Sequence, residues 1–303
     1  MSLTSCAQPP PFDYEAAKRL SAEKRREYDV IYFNEFYLSA GVMSNRYLSE
    51  DEIVGRTVPS EGNYLEKASV ARRAEFRRMA DAGYLPAYVF LHQTPEYVLQ
   101  YSYADEALGM LAAAAKAGDA SAACALTAMT RRFDSVKRRK SIAQEQTAAM
   151  AIGLKANHGA CLVQHGESFF QSAVTKEGVV SYSRYDAAGF PYLFEAARQG
   201  YYLAFHLLRN LRGYELQKSN YVLPSSLPLE RYLCWGRLVG QYSRSSGIDT
   251  QTITWTFRGD PRLGKPPSVD PKYFPILDKY DPAVFPLTVQ VATPETCLQL
   301  ETQ

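Results

Sequence analysis

Four short segments of the chain share one pattern, in which small residues lead into a glycine or an asparagine. The last residues of these segments, which we call the anchors, are spaced by 35, 39 and 43 residues along the chain. They are Gly83, Gly118, Asn157 and Gly200. A helix often ends with one residue in the left-handed conformation, where glycine has no steric penalty and asparagine is the next best choice. The anchors therefore predict four helices that end there, each followed by a second helix.

The positions around the anchors repeat as well. A small residue stands four positions after each anchor, and a second column lies eight positions after it. The small column comprises Ala87, Ala122, Cys161 and Ala204, and the second column comprises Leu91, Leu126, His165 and Leu208. Both columns lie on one face of the following helix, where a small residue allows close backbone approach and a leucine fills the next layer of core. Each helix pair has an apolar face that it cannot bury alone, which predicts stacked pairs.

The second and fourth segments resemble the Sel1-like repeat, an α-helical relative of the tetratricopeptide repeat. Both carry the order Ala-Ala-x-x-Gly, three residues, Ala, three residues, Leu, starting at Ala114 and at Ala196. The first segment lacks the leading alanine, and the third keeps mainly the spacing. The resemblance covers residues 66–213. It implies an all-α fold, a right-handed α-solenoid of helix-turn-helix repeats that acts by binding other proteins.

The regions that flank the array differ from it in composition. We divide the chain into an N-terminal spacer (1–12), N-terminal helices (13–65), the repeat array (66–244) and a Pro-rich tail (245–303). The apolar spacing from Leu229 to Tyr242 predicts a terminal half-repeat within the array. Prolines exclude a long helix in the tail, which keeps many apolar residues and is expected to lie extended on the array. Residues 251–257 alternate as a short strand would.

The first residues resemble the lipobox of bacterial lipoproteins, with Leu3 before Cys6 and Ala7 directly after it. This resemblance implies an acylated Cys6 that anchors the protein in the periplasm, with no other contact to a membrane. The basic and apolar stretches that precede a lipobox are missing before Leu3, as they would be in a trimmed sequence. A chance cysteine in a frayed N-terminus is the alternative.

Charge and composition restrict the class of partner. Lys and Arg total 34 against 32 Asp and Glu, and the net charge of +2 is too small for a domain that neutralises nucleic-acid phosphates. The chain has 22 tyrosines, a residue type that is enriched in protein–protein interfaces. We therefore expect a protein partner and no nucleic acid.

Candidate partner-contacting residues stand beside the anchors or in a basic run over residues 131–140. They are Tyr84, Tyr88, Tyr201, Tyr202, His206, Arg138 and Arg139. Packing between helices is the alternative for the tyrosines, and a solvated loop is the alternative for the basic run.

The sequence contains no motif for catalysis, metal binding or cofactor binding. The four histidines lack the spacing of a helical zinc site, and neither a nucleophile elbow nor a phosphate-binding loop occurs. His165 replaces a leucine of the repeat and is expected to be a core histidine, with ligand contact or a role as catalytic base as alternatives. Apart from Cys6, the cysteines form no C-x-x-C pair and are Cys124, Cys161, Cys234 and Cys297. Small buried thiols are expected, and a disulfide stays open because sequence does not show which cysteines meet.

These features predict a non-enzymatic, protein-binding scaffold without catalytic residues, metal or cofactor. Bacterial members of the repeat class include envelope lipoproteins, and some resemble immunity proteins that neutralise secreted antibacterial toxins such as type VI phospholipase effectors. The resemblance therefore implies a toxin-neutralising lipoprotein as the most specific hypothesis. A general envelope assembly scaffold and an envelope hydrolase are the alternatives.

Overall fold

The computed structural model describes residues 11–43, 74–91, 105–133, 143–174, 180–218, 227–245 and 292–303. These ranges are mostly helical and contain one two-stranded sheet, so the all-α class is confirmed. Among the helices of these ranges, none has both the length and the apolar character needed to cross a bilayer.

The helices before the sheet are α1 (Tyr14–Arg19), α2 (Ala22–Met43), α3 (74–81), α4 (Leu85–Leu91), α5 (Asp105–Lys116), α6 (Ala120–Phe133), α7 (Ala143–Lys155) and α8 (Gly159–Glu167). The sheet pairs β1 (Phe170–Val174) with β2 (Val180–Tyr185) in antiparallel orientation. A 3-10 turn at Ala187–Gly189 follows. The helices after it are α9 (Phe190–Arg198), α10 (Tyr202–Lys218), α11 (Leu227–Ser245) and α12 (Pro294–Glu301).

Four helix pairs turn at the anchors, namely α3/α4, α5/α6, α7/α8 and α9/α10. The φ angles of the anchors are 87°, 96°, 52° and 87°, and no other residue of the described ranges has a positive φ. In each turn the anchor N–H donates to the carbonyl three residues earlier, and the next N–H donates to the carbonyl five residues before it. This is the Schellman motif. The left-handed turn residue that the sequence predicts is thus present in all four pairs.

The columns that follow the anchors are mostly buried. All four residues of the small column are fully buried, and Leu126 and Leu208 of the second column are buried too. Leu91 and His165 are only half-buried. His165 is therefore not a core histidine, which corrects the sequence-based expectation.

The described helices belong to two compact units. Unit 1 takes its residues from Met1–Phe33 and Leu48–Cys161, and unit 2 takes its residues from Asn34–Tyr47 and Leu162–Gln303. The division after Cys161 falls inside the array that the sequence predicts. The two units are described separately below.

Aromatic residues of α2 form the centre of unit 1. The buried Tyr32 ring lies 5.4 Å from the Phe76 ring of α3, 5.8 Å from the Tyr84 ring and 6.3 Å from the Phe90 ring of α4. Tyr32 has no solvent-exposed surface. Because each aromatic side chain buries a large apolar area, this part of α2 belongs to the core of unit 1.

The core of unit 2 lies between α10 and α11. The Trp235 ring of α11 stacks on the Phe205 ring of α10 at 6.0 Å, and Leu208 and Leu211 are buried beside them. The terminal half-repeat that the sequence predicts at Leu229–Tyr242 lies within α11. Helix α12 packs on α11 and α9.

The end of the predicted tail is helical rather than extended. The Thr293 hydroxyl accepts a hydrogen bond from the Thr296 N–H, and the Thr296 hydroxyl accepts one from the Thr293 N–H. This reciprocal capping box, followed by Pro294 at the first helical position, starts α12. Proline is excluded from a helix interior but is favoured in a first turn. The predicted extended conformation is therefore wrong for residues 294–301. The predicted strand at 251–257 lies outside the described residues.

Two disulfides correct the expectation of free buried thiols. Cys124 of α6 is bonded to Cys161 of α8 in unit 1, and Cys234 of α11 is bonded to Cys297 of α12 in unit 2. In both pairs the cysteines are far apart in sequence, so only the packing of the helices brings them together.

Candidate functional site

Two of the candidate partner-contacting tyrosines are buried. Tyr84 has no exposed surface, and its hydroxyl donates to Asp29 Oδ1 of α2 at 2.7 Å. Tyr201 is 3% exposed. Neither side chain is accessible to a partner, so both predictions are corrected to core positions. Tyr88 is half-buried and packs on the Phe12 ring at 5.0 Å.

In unit 1, the residues that directly follow the anchors contact polar side chains of α2, which explains the burial of Tyr84. Helix α2 places Asp29 Oδ2 at 3.1 Å from His158 Nε2, and Arg25 Nη1 donates to Asp119 Oδ2 at 2.9 Å. Tyr84, Asp119 and His158 each follow an anchor directly. Polar side chains of α2 thus meet the turns of three helix pairs. This surface is occupied by the chain itself and does not offer a binding site.

In unit 2 the fourth turn is held in a similar way by Asn34. Its Nδ2 donates to the Gly200 carbonyl at 2.9 Å and to the Tyr242 hydroxyl at 2.6 Å, and its Oδ1 accepts from the Tyr202 N–H at 2.7 Å. Asn34 is 1% exposed. An amide supplies both a donor and an acceptor, which is what a turn with an open carbonyl and an open N–H requires.

The remaining described candidates, Tyr202 and His206, lie together on a partly exposed face of α10. Their rings are 6.3 Å apart, as residues four apart on a helix are expected to be. Arg209 Nη2 lies 2.8 Å from Asn210 Oδ1 and 3.3 Å from His206 Nε2. We call Tyr202, His206, Arg209 and Asn210 the α10 patch. In the described part of the chain, no carboxylate forms an ion pair with Arg209, so its charge is available at the surface.

A second partly exposed cluster lies at the base of the hairpin. The imidazole of His165 lies edge-on to the rings of Phe169, at 5.3 Å, and Tyr192, at 4.5 Å. Phe169 and Tyr192 are nearly parallel to each other at 5.9 Å. The exposed Arg184 of β2 holds its guanidinium 6.0 Å above the Phe169 ring. We call His165, Phe169, Tyr192 and Arg184 the ring cluster.

An insertion in the repeat builds the ring cluster. The longest anchor spacing, from Asn157 to Gly200, contains the hairpin of β1 and β2 between α8 and α9. Gly166 and Gly189 let the ends of this insertion approach each other, because a Cβ at Gly189 would lie 2.8 Å from Phe169 Cβ and 2.9 Å from the Gly166 carbonyl. Insertions in repeat proteins often lie on the binding face. The long spacing, together with a histidine in the leucine column, is the signal that could have located this site.

Burial lowers the pKa of His165 below its ordinary value of 6.5, because partial desolvation disfavours the charged imidazolium. The imidazole is therefore neutral at pH 7. Among the described residues, no side chain or backbone group forms a hydrogen bond with its ring nitrogens. The ring thus offers one donor and one acceptor to a ligand.

The opposite side of the hairpin packs against aromatic and charged side chains of α9 and α10. The Tyr182 and Tyr214 rings are 4.8 Å apart, and desolvation raises the pKa of Tyr182 to about 12. The Tyr185 hydroxyl donates to Glu215 of α10. The guanidinium of Arg212 lies 4.3 Å over the Phe190 ring. These contacts fix the hairpin against α9 and α10.

The other candidates lie outside the described residues. These are Cys6, the proposed lipid anchor, and Arg138 and Arg139 of the basic run. Within the described ranges, no group of three or more His, Cys, Asp or Glu side chains could hold a metal ion.

No protein-family model, curated protein or solved structure matches this chain.

Proposed function

We propose that this chain is a non-enzymatic, protein-binding protein of the Sel1-like repeat type, with its helix pairs stacked as a right-handed α-solenoid. The observation that carries the proposal is the shared turn at the four anchors, each with one left-handed residue, glycine or asparagine, and the same two hydrogen bonds. Repeated helix pairs of this kind form extended surfaces that are suited to binding other proteins.

The two disulfides support a location in the bacterial cell envelope. Disulfides that join distant parts of a chain form and persist in oxidising compartments such as the periplasm, and they are rare in the cytosol. Acylation of Cys6 would anchor the protein there. The disulfides and the resemblance of the first residues to a lipobox are independent features that favour the same compartment.

The two partly exposed clusters of unit 2 support protein binding. Tyrosine, phenylalanine and arginine are enriched in the contact regions of protein interfaces, where rigid rings lose little entropy on binding. Both the α10 patch and the ring cluster combine such rings with an arginine that forms no ion pair with a carboxylate of the described residues. We propose the α10 patch as a contact surface for the partner, and a secreted antibacterial toxin of the type VI phospholipase class as that partner.

Capture with the purified, disulfide-intact chain tests this function. The chain is immobilised and exposed separately to envelope and secreted fractions, and bound proteins are quantified. One stoichiometric toxin supports immunity, several envelope proteins support an assembly scaffold instead, and hydrolysis by the chain without any bound protein contradicts the proposal.

Variants locate the contact surface. The double variant Tyr202→Ala, Arg209→Gln should lose most of the captured partner. The exposed Arg77 of α3 provides the matched control, because Arg77→Gln also removes a surface charge but lies in unit 1. Equal capture by both variants would place the contact outside the α10 patch.

A further inference from the structure

The ring cluster is preorganised for binding. Its three rings support each other at centroid distances of 4.5 to 5.9 Å, and all three are partly exposed. Rings that are already fixed lose little conformational entropy when a partner covers them. Edge-to-face and offset arrangements of this kind leave ring surface available for a further apolar or aromatic side chain.

Arg184 adds a positive charge at the rim of these rings. No carboxylate of the described residues forms an ion pair with it, whereas Arg198 on the neighbouring α9 is paired with Glu195. Asp186 is close in sequence, but its carboxylate accepts a hydrogen bond from the Ala188 N–H and caps the 3-10 turn. The charge of Arg184 is therefore directed to solvent, and it complements an acidic group.

We propose that the ring cluster binds an acidic segment of a partner protein, in which an apolar or aromatic side chain packs on the rings and a neighbouring carboxylate pairs with Arg184. This inference rests on the proposed protein-binding function and names the chemistry of one contact. The His165 imidazole, at the centre of the cluster, donates a hydrogen bond to a carbonyl or carboxylate oxygen of the same segment. An arginine beside aromatic rings is a frequent combination at the centre of protein interfaces.

Histidine NMR on the full, disulfide-intact chain tests the site directly. The chain has four histidines, so the imidazole C–H signals are few, and the variant His165→Gln assigns the signal of His165. The probe is the peptide acetyl-Gly-Asp-Phe-Asp-Gly-amide, compared with versions that carry Asn or Lys in place of both Asp residues. We expect the acidic peptide to shift the His165 signal at the lowest concentration, the Asn version to act more weakly and the Lys version to act most weakly.

Two arginine variants separate a specific contact from general charge attraction. Arg184→Gln should weaken binding of the acidic peptide by roughly two- to fivefold, the change expected for one solvent-screened ion pair. It should leave binding of the Asn peptide unchanged. Arg198→Gln, the matched control on α9, should leave both affinities unchanged. An equal loss in both variants would overturn the assignment of Arg184.

The remaining outcomes are also decisive. If none of the peptides shifts the His165 signal, or if the Lys peptide binds as well as the acidic one, the proposal is wrong. If a trimer of N-acetylglucosamine shifts the signal and the peptides do not, the cluster is a carbohydrate site instead. Partner capture that persists alongside a failed peptide titration would leave the protein-binding function standing and would remove only this contact.

Discussion

Glycine is required at Gly83 for two separate reasons. Its φ of 87° is unfavourable for other residues, and a Cβ added there would lie 2.2 Å from Ala17 N and 2.5 Å from Ala16 C of α1. Both atoms belong to the backbone and cannot move aside easily. Gly118 has a similar φ of 96°, but nothing lies within 4 Å of its added Cβ. Glycine is therefore needed at Gly118 for its backbone conformation alone, and at Gly83 for its conformation and for close packing.

We expect Gly118→Ala to lower the free energy of unfolding by about 1–2 kcal/mol, the usual penalty for a left-handed non-glycine residue. Gly83→Ala should lower it clearly further, because α1 must also be displaced. Gly109 of α5 is exposed and has no neighbour within 4 Å of its added Cβ, so Gly109→Ala should raise stability by about 0.5–1 kcal/mol. Urea denaturation measures all three. Equal effects at Gly83 and Gly118 would show that the contact with α1 contributes nothing.

The lowered pKa of His165 makes a prediction about pH. Protonation favours the unfolded chain, in which the imidazole has its ordinary pKa of 6.5. The stability that is linked to this group is therefore fully present above that pKa and is lost as the pH falls through it toward the lower folded pKa. An NMR titration should give a His165 midpoint below 6.5. In His165→Gln this part of the pH dependence should disappear, whereas a midpoint at or above the ordinary value would refute the partial desolvation of the ring.

At the scale of elements, the last helix is held by a buried charge. Glu301 of α12 is 1% exposed at its side chain and pairs with Arg212 of α10. It also accepts a hydrogen bond from Trp235 Nε1 at 2.8 Å and lies 3.8 Å from Arg231 Nε. Arg212 also pairs with the partly exposed Glu215, with its Nη1 at 2.6 Å from Oε2. Losing the Glu301 charge therefore weakens buried, charge-assisted hydrogen bonds but does not leave Arg212 without a counter-charge.

Glu301→Gln should therefore lower the free energy of unfolding by about 1.5–3 kcal/mol, although the residue is near the end of the chain. Glu295 on the same helix is exposed, and Glu295→Gln provides the control with the same loss of charge. Thermal unfolding of both variants in parallel checks the prediction. If the two variants unfold alike, the ion pair with Arg212 does not hold α12.

An element could be predicted from sequence where a local pattern of residues specifies it, and could not where it depends on contacts that form only in the folded chain. The helix pairs could be predicted because a left-handed turn admits few residue types, and the anchors supply them at Gly83, Gly118, Asn157 and Gly200. The β-hairpin was missed because β1 and β2 are short, and the register of the strands shifts between Gln171 and Ser172. The ring cluster was missed with it, since His165 and Arg184 meet only after the hairpin has folded. No periodicity along one helix contains that information.

At the scale of the whole molecule, the disulfides are the feature least accessible to sequence reasoning. Cys124 and Cys161 are separated by 37 residues and Cys234 and Cys297 by 63, and no short motif links either pair. Gly153 leaves the space for the first bridge, because its added Cβ would lie 2.1 Å from Cys161 Sγ and 2.6 Å from Cys124 Sγ. Helix packing decides the pairing, and the pairing supports the proposed location in the cell envelope.

We expect peptide mapping of the unreduced protein to give the two links Cys124–Cys161 and Cys234–Cys297 and no other.

Closing loops of 37 and 63 residues should stabilise the fold by about 4 kcal/mol each, through the entropy of the unfolded chain. Two double variants should each lose this stability in the absence of reductant. One carries Cys124→Ala with Cys161→Ala, and the other carries Cys234→Ala with Cys297→Ala. Under reducing conditions the parent chain should lose stability too, and its difference from each variant should shrink. Gly153→Ala should prevent only the first link. Scrambled links, or a parent chain that is indifferent to reductant, would remove the main support for the proposed oxidising compartment and leave only the resemblance to a lipobox.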